Sequence, residues 1–64
     1  MLKINGKDVD AAGKTLSEYL ADTDYEPSRI AVEINEEIVP KSQYDKIILV
    51  DGDVVEVVSF VGGG

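Results

Sequence analysis

The run Asp51-Gly52-Asp53-Val54-Val55-Glu56-Val57-Val58-Ser59-Phe60-Val61-Gly62-Gly63-Gly64 decides the fold. Asp-Gly-Asp is turn chemistry, because glycine takes positive φ at no steric cost and aspartate bonds to nearby backbone. Residues 54–60 are the most β-branched stretch of the sequence and predict its longest strand. Such a strand does best in the middle of a sheet, paired on both edges. Alternation sets Val55 and Val57 on one face and Glu56, Val58 and Phe60 on the other. A strand this rich in valine should end in a turn or a charged cap, yet this one runs into three glycines.

Working outward, Leu2 and Ile4 alternate with Lys3 and Asn5, the period of a strand with one buried face. Asn5-Gly6 is the dipeptide best suited to a type I′ hairpin turn, with a returning strand over Lys7 to Asp10 carrying Val9. Thr15-Leu16-Ser17-Glu18 is a capping box. Leu16, Tyr19 and Leu20 then form the apolar stripe of a helix of about two turns over 16–21, in which Tyr19 is packing rather than catalytic. Asp22, Thr23, Asp24 and Pro27 end it. Ile30, Val32 and Ile34 alternate with Ala31, Glu33 and Asn35 in a further strand. Asn35-Glu36-Glu37 is a turn before a short strand at Ile38-Val39, which Pro40 closes. Lys41 to Tyr44 is one turn of helix or a loop, and Ile47-Ile48-Leu49 is another short extended piece. The predicted core is Leu2, Ile4, Leu16, Leu20, Val32, Ile34, Val55 and Val57. A helix lying across one face of a mixed sheet follows, an α+β arrangement known as a β-grasp.

With 64 residues the chain is one small domain, able to bury only about 60% of its unfolded surface. An active-site cleft would remove much of so small a core, which favours a binding or carrier module over an enzyme. Cysteine and histidine are absent, so a disulfide framework, the usual zinc sites and Cys/His or Ser/His nucleophilic pairs are excluded. A reducing cytoplasm suits this composition. The first residues lack the apolar run of a signal peptide, and no stretch approaches the roughly 20 apolar residues of a membrane span. A net charge of −7, from 13 acidic and 6 basic residues, disfavours nucleic acid and anionic membranes and suits basic partner surfaces. Glu36-Glu37 and Asp51/Asp53 are turn residues before they are cation ligands. No metal or cofactor is expected.

The glycines concentrate what chemistry remains. Residues 1–61 form the expected domain and 62–64 a flexible tail, since glycine costs the most entropy to order. Four extended residues reach about 13 Å, and glycine lets backbone pass through a channel too narrow for a Cβ. With a reference pKa of about 3.5, the Gly64 carboxylate is ionised at neutral pH and reacts at carbon only after activation. Val58 and Phe60, an apolar pair beside this tail, mark a docking surface. Two plainer readings stand beside these: a floppy end without function, and Val58 and Phe60 packed on another part of the chain.

Ala31-Val32-Glu33-Ile34-Asn35, Ile38-Val39-Pro40, Asp51-Gly52-Asp53, Val54 to Phe60 and the Gly-Gly end together give the chain a resemblance along its whole length. It resembles the sulfur-carrier proteins of thiamine thiazole biosynthesis, which have a ubiquitin-like fold. The resemblance implies a ubiquitin-activating-like adenylyltransferase that adenylates Gly64 with ATP. A sulfur-donor system drawing on cysteine would then convert the acyl-adenylate to a thiocarboxylate. Thiazole synthase would take that sulfur with Gly62 and Gly63 threaded into its active site, the carrier being consumed and regenerated. An arginine common in the family after Val-Pro is Lys41 here, and an aromatic residue a little further on is Tyr44. Two alternatives share the fold: the small subunit of molybdopterin synthase, which is usually longer, and a ubiquitin-like interaction domain that is never activated.

Overall fold

A computed structural model describes residues 1–60. Asn5 and Gly6 both take positive φ, 52° and 82°, as a type I′ turn requires. They join strands β1 (Leu2–Ile4) and β2 (Lys7–Val9) into the expected hairpin, with Lys3 opposite Asp8. Helix α1 (Leu16–Ala21) follows. A short 3-10 turn at Pro27–Arg29 then leads into strand β3 (Ile30–Ile34). Strand β4 (Glu37–Ile38), a second 3-10 turn at Lys41–Gln43 and strand β5 (Val54–Ser59) complete the chain order.

The five strands form one mixed sheet in the order β2-β1-β5-β3-β4. β5 is central, parallel to β1 and antiparallel to β3 from Ile30↔Ser59 to Ile34↔Val55. Its Val55 and Val57 face α1 and are buried, as are Leu2, Ile4, Leu16, Leu20 and Val32. The β-grasp expected from the sequence is therefore the observed architecture.

The start of α1 shows why so short a helix holds. The first amides of a helix have no partner within it. Here the Glu18 amide donates to Thr15 Oγ1 at 3.1 Å, and Glu18 Oε1 accepts from the Thr15 amide at 2.8 Å. The Leu16 and Ser17 amides donate to the carbonyls of Ile47 and Tyr44, at 2.9 and 2.8 Å. Residues 44–49 are thus a strap over the helix start. They are not a further strand of the sheet: the Ile47-Ile48-Leu49 piece makes one isolated antiparallel bridge, Thr15↔Ile48.

That strap fills the part of the core the apolar alternation did not reach. Tyr44 and Leu49 are buried, along with Ala11, Ile30 and Val39. Ile34, expected in the core, is only half-buried. It lies at the end of β3, where it lines an open depression of about 250 Å³ with Ile38, Val39, Pro40 and Ile47. The last strand ends at Ser59 rather than Phe60, although the Phe60 amide still donates to the Arg29 carbonyl at 2.9 Å. None of the helices among the described residues is long and apolar enough to cross a membrane.

Candidate functional site

β5 leads directly to the residues that the sequence singles out, and the surrounding structure hydrogen-bonds this strand on both sides. On one side β1 turns away after Ile4. The Asn5 side chain takes over the pairing there: its Oδ1 accepts from the Val57 amide at 2.8 Å and its Nδ2 donates to the Val57 carbonyl at 3.2 Å. The same Nδ2 reaches the Tyr25 hydroxyl at 3.2 Å. On the other side Asn35 Oδ1 accepts from the Val54 amide at 3.0 Å, and the Asn35 amide donates to the Val54 carbonyl at 2.8 Å. Both asparagines sit at φ 52°, a left-handed conformation that asparagine tolerates better than most residues. Sequence reading placed both in turns and missed this second role.

The acidic turn residues have structural work. Asp53 Oδ1 accepts from Asn35 Nδ2 and Oδ2 from the Val50 amide, both at 3.0 Å. Asp51 pairs with the N-terminal ammonium at 2.9 Å, which holds that amine above its ordinary pKa. Among the described residues, no group of three or more acidic side chains is placed to hold a metal ion.

Val58 is exposed on the sheet face away from α1 and Phe60 lies just past the end of β5, with 59% and 38% of their surface exposed. Val58 stands open opposite Ala31. Phe60 sits beside Lys41, whose ammonium lies 6.0 Å from the Phe60 ring centre and 5.9 Å from that of Tyr44. Lys41 Nζ also donates to the Ile30 carbonyl at 2.7 Å. The lysine therefore ties the base of β3 to the residue at which the described chain ends. Burial raises the Tyr44 phenol above its ordinary pKa, which leaves the ring neutral beside that ammonium at physiological pH. Gly62, Gly63 and Gly64 lie outside the described residues.

The geometry, a central strand paired on both sides and ending at one end of a small sheet, suits a protein that presents a peptide segment. A family model described as the ThiS family matches residues 2–64. This chain belongs to the ThiS family. The chain is 44% identical over 66 residues to the sulfur carrier protein ThiS of Bacillus subtilis strain 168, covering 100% of both sequences. It is 42% identical over 64 residues to a thiazole synthase of Paramagnetospirillum magneticum, of which it spans 20%. The crystal structure of a thiamine biosynthesis protein, ThiS, from Geobacter metallireducens superposes with a TM-score of 0.77 at 34% identity. That match covers 98% of this chain and 97% of the other. The mixed sheet with one helix is thus the ubiquitin-like β-grasp of ThiS proteins.

Proposed function

We propose that the chain is the sulfur carrier of thiazole formation in thiamine biosynthesis, itself a substrate rather than an enzyme, with the Gly64 carboxyl group as its working group. The observation that carries this reading is the coupling of a braced central strand to a Gly-Gly-Gly end in a chain of the ThiS family. In the first step a carboxylate oxygen of Gly64 attacks the α-phosphorus of ATP, and pyrophosphate leaves. The acyl-adenylate is an electrophile, unlike the carboxylate. A sulfur nucleophile then forms a C–S bond at that carbon and AMP departs. With sulfide as the nucleophile this gives the thiocarboxylate directly. With a cysteine-derived persulfide it gives an acyl disulfide, which a second thiol cleaves to the thiocarboxylate while that thiol is oxidised to a disulfide with the donor. Thiazole synthase passes this sulfur to its substrate, and an oxygen from that substrate or from water takes its place on the acyl carbon, which returns the carboxylate for another round.

Three observations support the reading. The relative from B. subtilis is named a sulfur carrier and is matched end to end. In P. magneticum a segment like this chain is part of a polypeptide named thiazole synthase, which is the simplest arrangement for two partners that must meet. The side chains offer no rival: there is no cysteine to hold a persulfide, and the acidic side chains are too short to enter a narrow channel.

Incubation with ATP, a sulfide source and the cognate adenylating enzyme should yield a product carrying one O-to-S exchange, assigned by mass spectrometry to the C-terminal peptide. One residue added after Gly64 should abolish that product and leave the melting temperature unchanged. Equal formation of thiocarboxylate on the extended chain would overturn the proposal.

A further inference from the structure

Asn5-Gly6, the turn between β1 and β2, is a chemically reactive pair as well as a turn. The main-chain nitrogen of a following residue can attack the side-chain carbonyl carbon of an asparagine, and glycine, without a Cβ, leaves that nitrogen unhindered. The sequence has one other asparagine, Asn35, and the bulkier Glu36 follows it. Asn5 and Gly6 are both exposed, so water reaches the turn. The folded chain nevertheless opposes the attack in two ways. The carboxamide is turned across to β5, where Oδ1 and Nδ2 are bonded to the Val57 amide and carbonyl at 2.8 and 3.2 Å. The backbone is also set against it. At φ 52° Asn5 lies in the left-handed region, where ψ is about +30 to +60°. Cβ then points to the opposite side of the Cα–C bond from the Gly6 nitrogen, whereas ring closure needs the two nearly eclipsed.

We propose that Asn5 is a deamidation site gated by the fold, one that turns a transient parting of the β1–β2 hairpin from β5 into a permanent change. Once the hairpin has parted, Asn5 is free to rotate. The deprotonated Gly6 nitrogen attacks Cγ, a C–N bond forms, and the side-chain nitrogen takes up a proton and leaves as ammonia. Water then opens the succinimide at either carbonyl and leaves aspartate or isoaspartate, with no oxidant or reductant required. Neither product restores the joint with β5. In aspartate an oxygen replaces Nδ2, the donor to the Val57 carbonyl, so two acceptors face each other there. The Tyr25 hydroxyl, now an acceptor from Nδ2 at 3.2 Å, can turn and donate to the new oxygen, but the Val57 carbonyl cannot. In isoaspartate the main chain gains a methylene inside a two-residue turn, which breaks the register from Leu2↔Val9 to Ile4↔Lys7. The loosened strand is the one that leads to the glycine end, although the chemistry itself is independent of what Gly64 does.

The test follows the full-length chain at mildly alkaline pH, folded in buffer and unfolded in guanidinium chloride. Deamidation is read by mass spectrometry on the tryptic peptides Ile4–Lys7 and Ile30–Lys41, which carry Asn5 and Asn35. In the unfolded chain Asn5 should convert far faster than Asn35. It should also convert at least about tenfold faster there than in the folded chain, where only the opened hairpin reacts. The aged folded sample should contain a fraction that melts lower, and N5D should melt at least about 4 °C below wild type. Equal rates at Asn5 in the folded and the unfolded chain would overturn the gating. No preference for Asn5 over Asn35 in the unfolded chain would overturn the site itself. Aged chains and N5D that melt with wild type would overturn the permanent change. None of these readouts depends on Gly64, so the carrier reading stands or falls separately.

Discussion

Asn35 holds three backbone and side-chain partners from one left-handed position: the Val54 amide, the Val54 carbonyl and the Asp53 carboxylate. Replacing it by alanine removes both side-chain bonds and leaves the Val54 amide without its acceptor. It also puts a Cβ-bearing residue without a local hydrogen bond at φ 52°. Asn35→Ala should cost about 1–3 kcal/mol. That corresponds to a fall in melting temperature of about 4–8 °C per kcal/mol for a domain of this size, read by thermal denaturation. A variant that melts with wild type would show that the bracing of β5 contributes nothing. Asn5 was legible as half of a hairpin turn because the signal, Asn-Gly between alternating residues, is contained in neighbouring positions. Its bond to Val57 was not legible, because it joins residues 52 positions apart and follows from the parallel register of β1 and β5. Lys41 is a similar case, with a contact to the Ile30 carbonyl that no local pattern announces.

Among the elements, β5 combines stability and presentation on opposite faces. Val55 and Val57 are buried against α1, while Val58 and Phe60 are exposed. Changing Phe60 to serine should therefore lower the rate of sulfur transfer to thiazole synthase while lowering the melting temperature by no more than about 2–8 °C. The small shift reflects a lost cation–ring contact with Lys41, worth about 0.5–1 kcal/mol at an exposed site. A large loss of stability would place Phe60 in the core instead. The strand itself could be read directly, since a seven-residue β-branched run after a Gly turn has few other readings. The same holds for α1, where the capping box and the stripe of Leu16, Tyr19 and Leu20 lie within six residues. Residues 44–49 resisted reading for the opposite reason. They have neither helical nor strand periodicity over a useful length, and Tyr44 and Leu49 are buried only because the strap crosses the start of α1. Ile34 followed the alternation, but the sheet's corner leaves it beside an open depression.

At the scale of the whole molecule, alkaline pH is the direction in which stability should fail. Burial raises the Tyr44 and Tyr19 phenols, with Tyr25 adding to the effect on Tyr19. A raised folded pKa means that the folded state keeps protons the unfolded chain has lost. This contribution is fully present below about pH 10, the ordinary tyrosine value, and is lost as pH rises through the folded value. The N-terminal amine and Lys14 shift the same way through Asp51 and Asp22, but these pairs are exposed and add little. Urea midpoints measured from pH 7 to pH 11 should stay level and then drop above about pH 10. Tyr44→Phe should flatten the drop, and an unchanged drop would assign it elsewhere. The central place of β5 has one more consequence, for how the protein is made. Without residues 54–59 the sheet falls into two separate hairpins, β1-β2 and β3-β4, and an isolated hairpin is marginal in water. A nascent chain that stalls before Val54 consequently never closes its core and is left to proteases. The strand that completes folding is also the one that leads to the glycine end, so under the proposed function a chain cut short of it lacks both a closed core and the carboxylate to be activated.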